Sequence, residues 1–267
     1  MAFINSMMIL AYSFCNVTLM PIRSEPTHKS EQISQLLYGE RAEIQQVNNS
    51  EWAKIKCAND GYEGWCKVAQ LTMITYKEYK KTIKYISYSN FNALLLNNYK
   101  LYLPLGCELT YLKKLNTEFK LIKFNGKKID ISKTIFKVDD VINAATNYMN
   151  APYLWGGRSV TGIDCSGLTQ MAYKLCNFSL PRDASQQANI GVLVDFLQSS
   201  ICGDLAFFDD KDGKIVHVGI LIDNQTIIHA SDTAGKVTID KIDQGGIIST
   251  KQKKRTHKLR FVKRIFN

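Results

Sequence analysis

Near residue 138 the patterning of the chain changes, and that change constrains the fold more than any other feature. Before it, segments such as NVTLMPIRSEP, SQLLYGERAEIQQV, EWAKIKC and GYEGWCKV alternate apolar and polar residues between turn formers. A period of two over a few residues, punctuated by Gly, Pro, Asn and Ser, is the pattern of a small β-barrel. Gly61 and Gly64 bracket Tyr62 and Glu63 in a predicted tight turn that presents Trp65. Pro21 and Pro26 interrupt the first strand, as sheet edges tolerate. From 139 the period lengthens. VDDVINAATNYMNAPYLWGG has an acidic first turn and apolar residues at Val141, Ala144, Ala145 and Tyr148, which predicts a helix ending near Asn150, before Pro152. A second helix is predicted from Cys165, because Leu168, Met171, Ala172 and Leu175 fall at helical spacing. A further helical stretch is expected around PRDASQQANIG. Strand patterns follow in DLAFFD, KIVHVGILID, QTIIHAS and GKVTIDKI. Helices first and an antiparallel sheet after make an α+β arrangement. The expected division is a first barrel over 12–75, a weaker repeat of it over 76–138 (KLYLPLGCELTYL, then FKLIKFNGKKIDI), and an α+β domain over 139–267.

The bulk numbers exclude more than they assign. A chain of 267 residues accommodates two or three small domains, and 45% hydrophobic with 22% charged residues is a globular composition. The net charge of +10 raises nucleic acid as a partner, but the last 17 residues hold eight Lys or Arg and no acid, leaving +2 for the rest. There Leu259 and Phe261 alternate with Lys258 and Arg260, as in a half-buried final strand with a solvated basic face. No phosphate loop, zinc-finger spacing or RNA-binding signature occurs, so no nucleic-acid partner is expected. Seven cysteines without a C-x-x-C pair favour a reducing compartment. The opening MAFINSMMILAYSFCNVTLM is apolar, yet lacks Lys or Arg before its apolar run and a small-x-small cleavage site; Phe14 precedes Cys15 where lipid attachment would want a small residue. It is read as part of the first domain. No run reaches the length of a membrane span. These features favour the cytoplasm, with a periplasmic or secreted location left open, and a monomer is favoured.

Cys165 sits where a helix begins, with backbone N–H groups and the positive dipole end aimed at its sulfur. Both would lower a thiol pKa. The competing reading is a core cysteine, since this residue type is often buried. A nucleophilic cysteine needs a base, a group orienting that base, and donors for an oxyanion. Four histidines are available. His28, in a polar loop, and His257, in the basic tail, are expected to be exposed. His217 lies within a nearly continuous apolar run that reads as a central strand, and a buried imidazole needs partners. His229 lies in the next strand pattern, beyond the turn residues Asp223 and Asn224; antiparallel pairing would let the two rings touch. The order of cysteine, histidine and second polar ring is the papain-like one, although His217 alone could be a satisfied core residue. A zinc site from His217 and His229 lacks any H-E-x-x-H or paired-cysteine spacing, and DDKDG at 209–213 lacks the spacing of a calcium loop. No metal and no cofactor is expected.

At these residues the chain resembles known families. LLYGERAEI, SEWAKIKC and DGYEGWCKVAQL look like a bacterial SH3-type domain. APYLWGG, GIDCSGLTQ, GDLAFF, HVGI and IIHAS, in that order over about 139–267, resemble the NlpC/P60 family of cell-wall cysteine peptidases. With the SH3-like pair in front, the whole chain resembles the γ-D-glutamyl-L-diamino acid endopeptidases of that family. The resemblance implies a papain-like catalytic domain with Cys165 as nucleophile, His217 as base and then acid, and His229 as the orienting member. It implies Tyr153 as a hydroxyl donor to the oxyanion beside the Cys165 N–H. It further implies that Asp164 and Ser166 grip the free amine of a substrate's terminal L-alanine. An ammonium partner would give a carboxylate beside the nucleophile a physical purpose; a turn or N-cap role is the alternative for Asp164. Trp155 and Ser185 match lining positions, against core packing and a helix cap. Glu40 and Tyr62 match wall residues of the first SH3-like domain, against a solvated turn and barrel packing. The implied reaction is hydrolysis, through a thioester, of the γ-D-Glu–diamino acid bond in peptidoglycan-derived L-Ala-γ-D-Glu-diamino acid peptides, in wall recycling. Two other readings stay open: another papain-like cysteine amidase or acyltransferase, which would not need Asp164, Glu40 or Tyr62, and a non-catalytic wall-binding protein.

Overall fold

The structure, a computed structural model, describes residues 9–97, 99–112, 121–135 and 137–265. The expectations for residues 1–8 and for 113–120 of the proposed repeat lie outside the described residues. The chain forms two compact units, Met1–Asp130 and Ile131–Asn267. The division falls where the chain leaves its last strand of the first unit, some residues before the change of pattern at 138.

The first unit is built on a seven-stranded antiparallel sheet. Its strands are β1 (Ala11–Cys15), β2 (Leu19–Arg23), β3 (Gln32–Leu37), β4 (Arg41–Asn48), β5 (Trp52–Cys57), β6 (Glu63–Lys67) and β7 (Leu71–Ile74), in the spatial order β3-β2-β6-β5-β4-β1-β7. The alternation read in the sequence becomes one apolar face: Met20, Ile22, Leu36, Ile44, Ile55 and Cys66 bury together. After it come the short helix α1 (Tyr76–Tyr79) and the strands β8 (Tyr85–Ser87), β9 (Asn92–Leu96), β10 (Lys100–Leu103), β11 (Leu121–Asn125) and β12 (Lys128–Asp130). They pair as a three-stranded sheet, β10-β9-β11, and a two-stranded ribbon, β12-β8. Among the described residues the segment 76–130 thus holds these two small sheets.

The second unit opens with α2 (Val138–Thr146), whose Val141, Ala144 and Ala145 are buried as the spacing predicts. Asn150 adopts a left-handed φ of 63° after it, and Pro152 follows. The hairpin of β13 (Arg158–Ser159) and β14 (Gly162–Ile163) leads into α3 (Cys165–Leu175), and α4 (Ala184–Gln187) is the short remnant of the third predicted helix. The strands β15 (Val192–Val194), β16 (Leu205–Asp209), β17 (Ile215–Leu221), β18 (Thr226–Ser231), β19 (Lys236–Asp243), β20 (Gly246–Ser249) and β21 (Lys254–Arg264) form one antiparallel sheet. Pairing of β20 with β21 closes six of them into a ring, with β15 outside it on β21. Ala206, Phe208, Leu221, Ile227, Ile247 and Val262 fill one core of this sheet. Helix α3 packs on β17, β18 and α2, which brings the start of one helix to the central strands.

Candidate active site

Three polar side chains on three neighbouring strands form a hydrogen-bonded file. The β17–β18 register pairs Ile220 with Ile228 and Leu221 with Ile227. Extended by one residue, it sets Gly219 opposite His229, and His217, two further along its strand, is a diagonal neighbour on the same face. In the next ladder His229 pairs with Thr238 and Ile227 with Asp240, so Asp240 is again a diagonal neighbour on that face. His217 Nε2 lies 2.9 Å from His229 Nδ1, with the rings nearly perpendicular. His229 Nε2 lies 3.2 Å from Asp240 Oδ2, and the Thr250 backbone N–H donates to Asp240 Oδ1 at 2.7 Å. All three side chains are buried. A Cβ on Gly219 would lie 2.6 Å from Ile227 Cδ1 and 3.0 Å from His229 Cβ, so the glycine makes room for the second ring.

His257 belongs to the same cluster. It was expected to be exposed, but closure of the ring by β21 stacks it on His217 with 4.1 Å between ring centroids. His28 remains exposed, beside Trp52.

Cys165 is the first residue of α3 and buried. Asp164 caps the helix by accepting from the Gly167 N–H at 2.7 Å. A Cβ on Gly167 would lie 2.3 Å from the Gly157 carbonyl oxygen, so the first turn of α3 rests directly on the loop that follows Tyr153 and Trp155. The expectation of a lowered thiol pKa is overturned. Burial, and then the Asp164 carboxylate, push the Cys165 thiol up to about 12, against hydrogen bonds from the Val218 and Ser166 backbone and the Arg182 charge. The Val218 contact sets the thiol beside the residue that follows His217. Burial, with His229 and His257 adding to it, holds His217 well below the ordinary histidine value, so its imidazole is neutral at pH 7. Burial thus disfavours both the thiolate and the imidazolium. Tyr153 is half-buried, and burial followed by the nearby Cys165 and Asp164 raises its phenol, which stays protonated as a donor.

Asp164 and Ser166 both meet a guanidinium within the protein itself. Asp164 Oδ1 accepts from Gly167 N–H and Arg182 Nη1 (3.0 Å), and Oδ2 from Gly156 N–H (2.8 Å) and Arg182 Nη2 (2.5 Å). A carboxylate has about four lone-pair directions, and these are filled by the protein itself. Ser166 Oγ accepts from Arg182 Nη1 at 2.8 Å and is buried too. Arg182, missed in the sequence, is 1% exposed. Gln187 of α4 secures the same turn, donating to the Ser166 carbonyl at 3.0 Å and accepting from Thr169 Oγ1. Trp155 is 57% exposed on its loop, and Ser185 is exposed on α4. For Glu40 the solvated-turn alternative is corrected: the side chain is interior to the first unit. It is fully buried in the first unit, accepting from the Leu37 N–H at 2.8 Å and from Asn59 Nδ2 at 3.2 Å, and it fixes the turn between β3 and β4. Tyr62 is partly buried against the core of the same sheet. Asp240 and Arg182 carried no sequence signal beyond their residue type.

Comparison with known proteins identifies the family. Residues 150–256 match the NlpC/P60 family, and residues 22–71 match the bacterial dipeptidyl-peptidase SH3 domain. The chain is 28% identical over 228 residues to a gamma-D-glutamyl-L-lysine dipeptidyl-peptidase of Bacillus subtilis, covering 77% of this chain and 74% of that one. It is 34% identical over 107 residues to a probable endopeptidase NlpC of Escherichia coli, covering 39% of this chain and 69% of that one. The crystal structure of an NlpC/P60 family protein from Bacillus cereus superposes with a TM-score of 0.78 at 20% identity, over 96% of this chain and all of that one. A buried Cys165 at a helix start, an imidazole pair beside it and an SH3-type domain in front place this chain in the NlpC/P60 family of cysteine peptidases.

Proposed function

We propose that the chain hydrolyses the γ-D-Glu–diamino acid bond of peptidoglycan-derived L-Ala-γ-D-Glu-diamino acid peptides through a thioester on Cys165. The hydrogen-bonded His217–His229 pair beside the start of α3 carries this reading: one imidazole nitrogen is taken, leaving the other for the thiol. The name of the Bacillus subtilis relative, a gamma-D-glutamyl-L-lysine dipeptidyl-peptidase matched across both domains, supports the choice of bond.

Because thiol and imidazole rest neutral, proton transfer accompanies attack. His217 takes the Cys165 proton as sulfur bonds to the amide carbon, and the carbonyl electron pair moves to oxygen. Tyr153 OH and the Cys165 N–H are the donors this reading assigns to that oxyanion. Collapse of the adduct breaks the C–N bond, with the His217 proton going to the leaving amine. A water then gives a proton to His217 and attacks the thioester, and the thiol departs with that proton.

Filling of Asp164 by Arg182 favours a second reading, an amidase of the same core that does not require a free amine. Product mass spectrometry on L-Ala-γ-D-Glu-L-Lys and its N-acetyl form separates the two. Release of L-Ala-γ-D-Glu from the free form alone supports the dipeptidyl-peptidase. Equal turnover of both forms supports the amidase, and turnover of neither defeats the substrate assignment.

A further inference from the structure

We propose that Asp240 is a positioning residue of the catalytic file: through His229 it dictates which nitrogen of His217 carries the proton. The inference rests on the reading of Cys165 and His217 as nucleophile and base. An ionised carboxylate only accepts hydrogen bonds. Asp240 Oδ2 lies 3.2 Å from His229 Nε2, so that nitrogen bears the hydrogen. A neutral imidazole that donates through Nε2 must accept at Nδ1, and the atom 2.9 Å from His229 Nδ1 is His217 Nε2. His217 therefore donates through Nε2, and its Nδ1 lone pair is left for the thiol. Two buried rings are set in this way by one carboxylate, which never itself takes up a proton.

The surroundings keep Asp240 in the required state. Burial opposes its charge, but the hydrogen bonds from His229 and Thr250 hold its carboxyl below the usual range. Besides the Cys165 thiol, the charged or titratable groups facing the file among the described residues are His257, stacked on His217, and Asp232, whose charge acts on His257. Phe208 packs against His217 at 5.6 Å between ring centroids and contributes no charge.

The Thr250 N–H on Oδ1 makes Asp240→Asn a sharp test, because an amide has one carbonyl for two donors. With its oxygen toward Thr250, the amide donates to His229 Nε2. His229 then carries its hydrogen on Nδ1, His217 must accept at Nε2, and His217 points an N–H at the thiol. With its oxygen toward His229, a donor is turned on the Thr250 N–H.

Long-range nitrogen–proton NMR of the full chain at pH 7.5 reads the tautomers without substrate, with signals assigned using His28→Gln and His257→Gln. The wild type is expected to carry the proton on Nε2 of both His217 and His229. Asp240→Asn is expected to move both to Nδ1 and to lower kcat on L-Ala-γ-D-Glu-L-Lys by about tenfold or more, with KM nearly unchanged. Asp240→Glu, which keeps an acceptor, is expected to retain the wild-type tautomers and most of kcat. A wild type with the His217 proton on Nδ1 overturns the proposal, as does a folded Asp240→Asn that keeps both tautomers and kcat. If Asp240→Asn does not fold, the wild-type tautomers decide. The tautomer result is independent of the substrate assignment, so either can fail alone.

Discussion

Arg182 shows how one residue changes the reading of its neighbours. Beside Cys165, Asp164 has two readings in the sequence, an amine-binding carboxylate and a helix cap. In the fold it is a helix cap and the buried partner of a guanidinium 18 positions away. Nothing in helical or strand spacing links residues 164 and 182, so the pair was not legible. Cys165, His217 and His229 were, because each sits at a diagnostic place in a periodic segment. Asp240 was not: GKVTIDKI identifies a strand, but the polar residue that touches His229 depends on register. A buried ion pair broken on one side leaves an uncompensated charge. Arg182→Met is therefore expected to cost about 3–5 kcal/mol, read as a lower urea midpoint. Adding Asp164→Asn should recover part of that loss. An unchanged midpoint in the single variant would show that the pair does not hold the turn.

At the scale of elements, β21 decides the electrostatics of the site. The sequence marks it as a half-buried strand with a basic face, and three of its cations pair with carboxylates: Arg255 with Asp243, Arg260 with Asp209 and Arg264 with Asp204. Its partners could not be read, since a strand pattern does not say that the strand closes a ring between β16 and β20. That closure brings His257 onto His217, where burial, and then His229, lower it to about 4. The unfolded chain protonates both histidines near pH 6.5, whereas the folded one does so only at lower pH. Between those values the unfolded state binds more protons. The stability these groups contribute is complete above about pH 6.5 and is lost as pH falls through about 4 for His257. Urea midpoints measured from pH 7.5 down to 4.5 should fall, and less steeply in His257→Gln. Equal slopes would remove His257 from the cluster's titration.

At the scale of the whole molecule, alternation in the first part and helices followed by strands in the second gave the α+β outline and the two kinds of domain. The middle segment is less legible, because a strand pattern does not specify how its strands pair; its described strands form two small sheets. The catalytic unit was clearer because its chemistry is concentrated in short segments whose order survives in the sequence. The proposed chemistry turns on one atom, the Cys165 sulfur. Hydrolysis of L-Ala-γ-D-Glu-L-Lys by the wild-type chain and by Cys165→Ala, followed by product mass spectrometry at neutral pH, tests it most directly. The prediction is release of L-Ala-γ-D-Glu and lysine by the wild type and none by the variant; equal release by both would contradict the account.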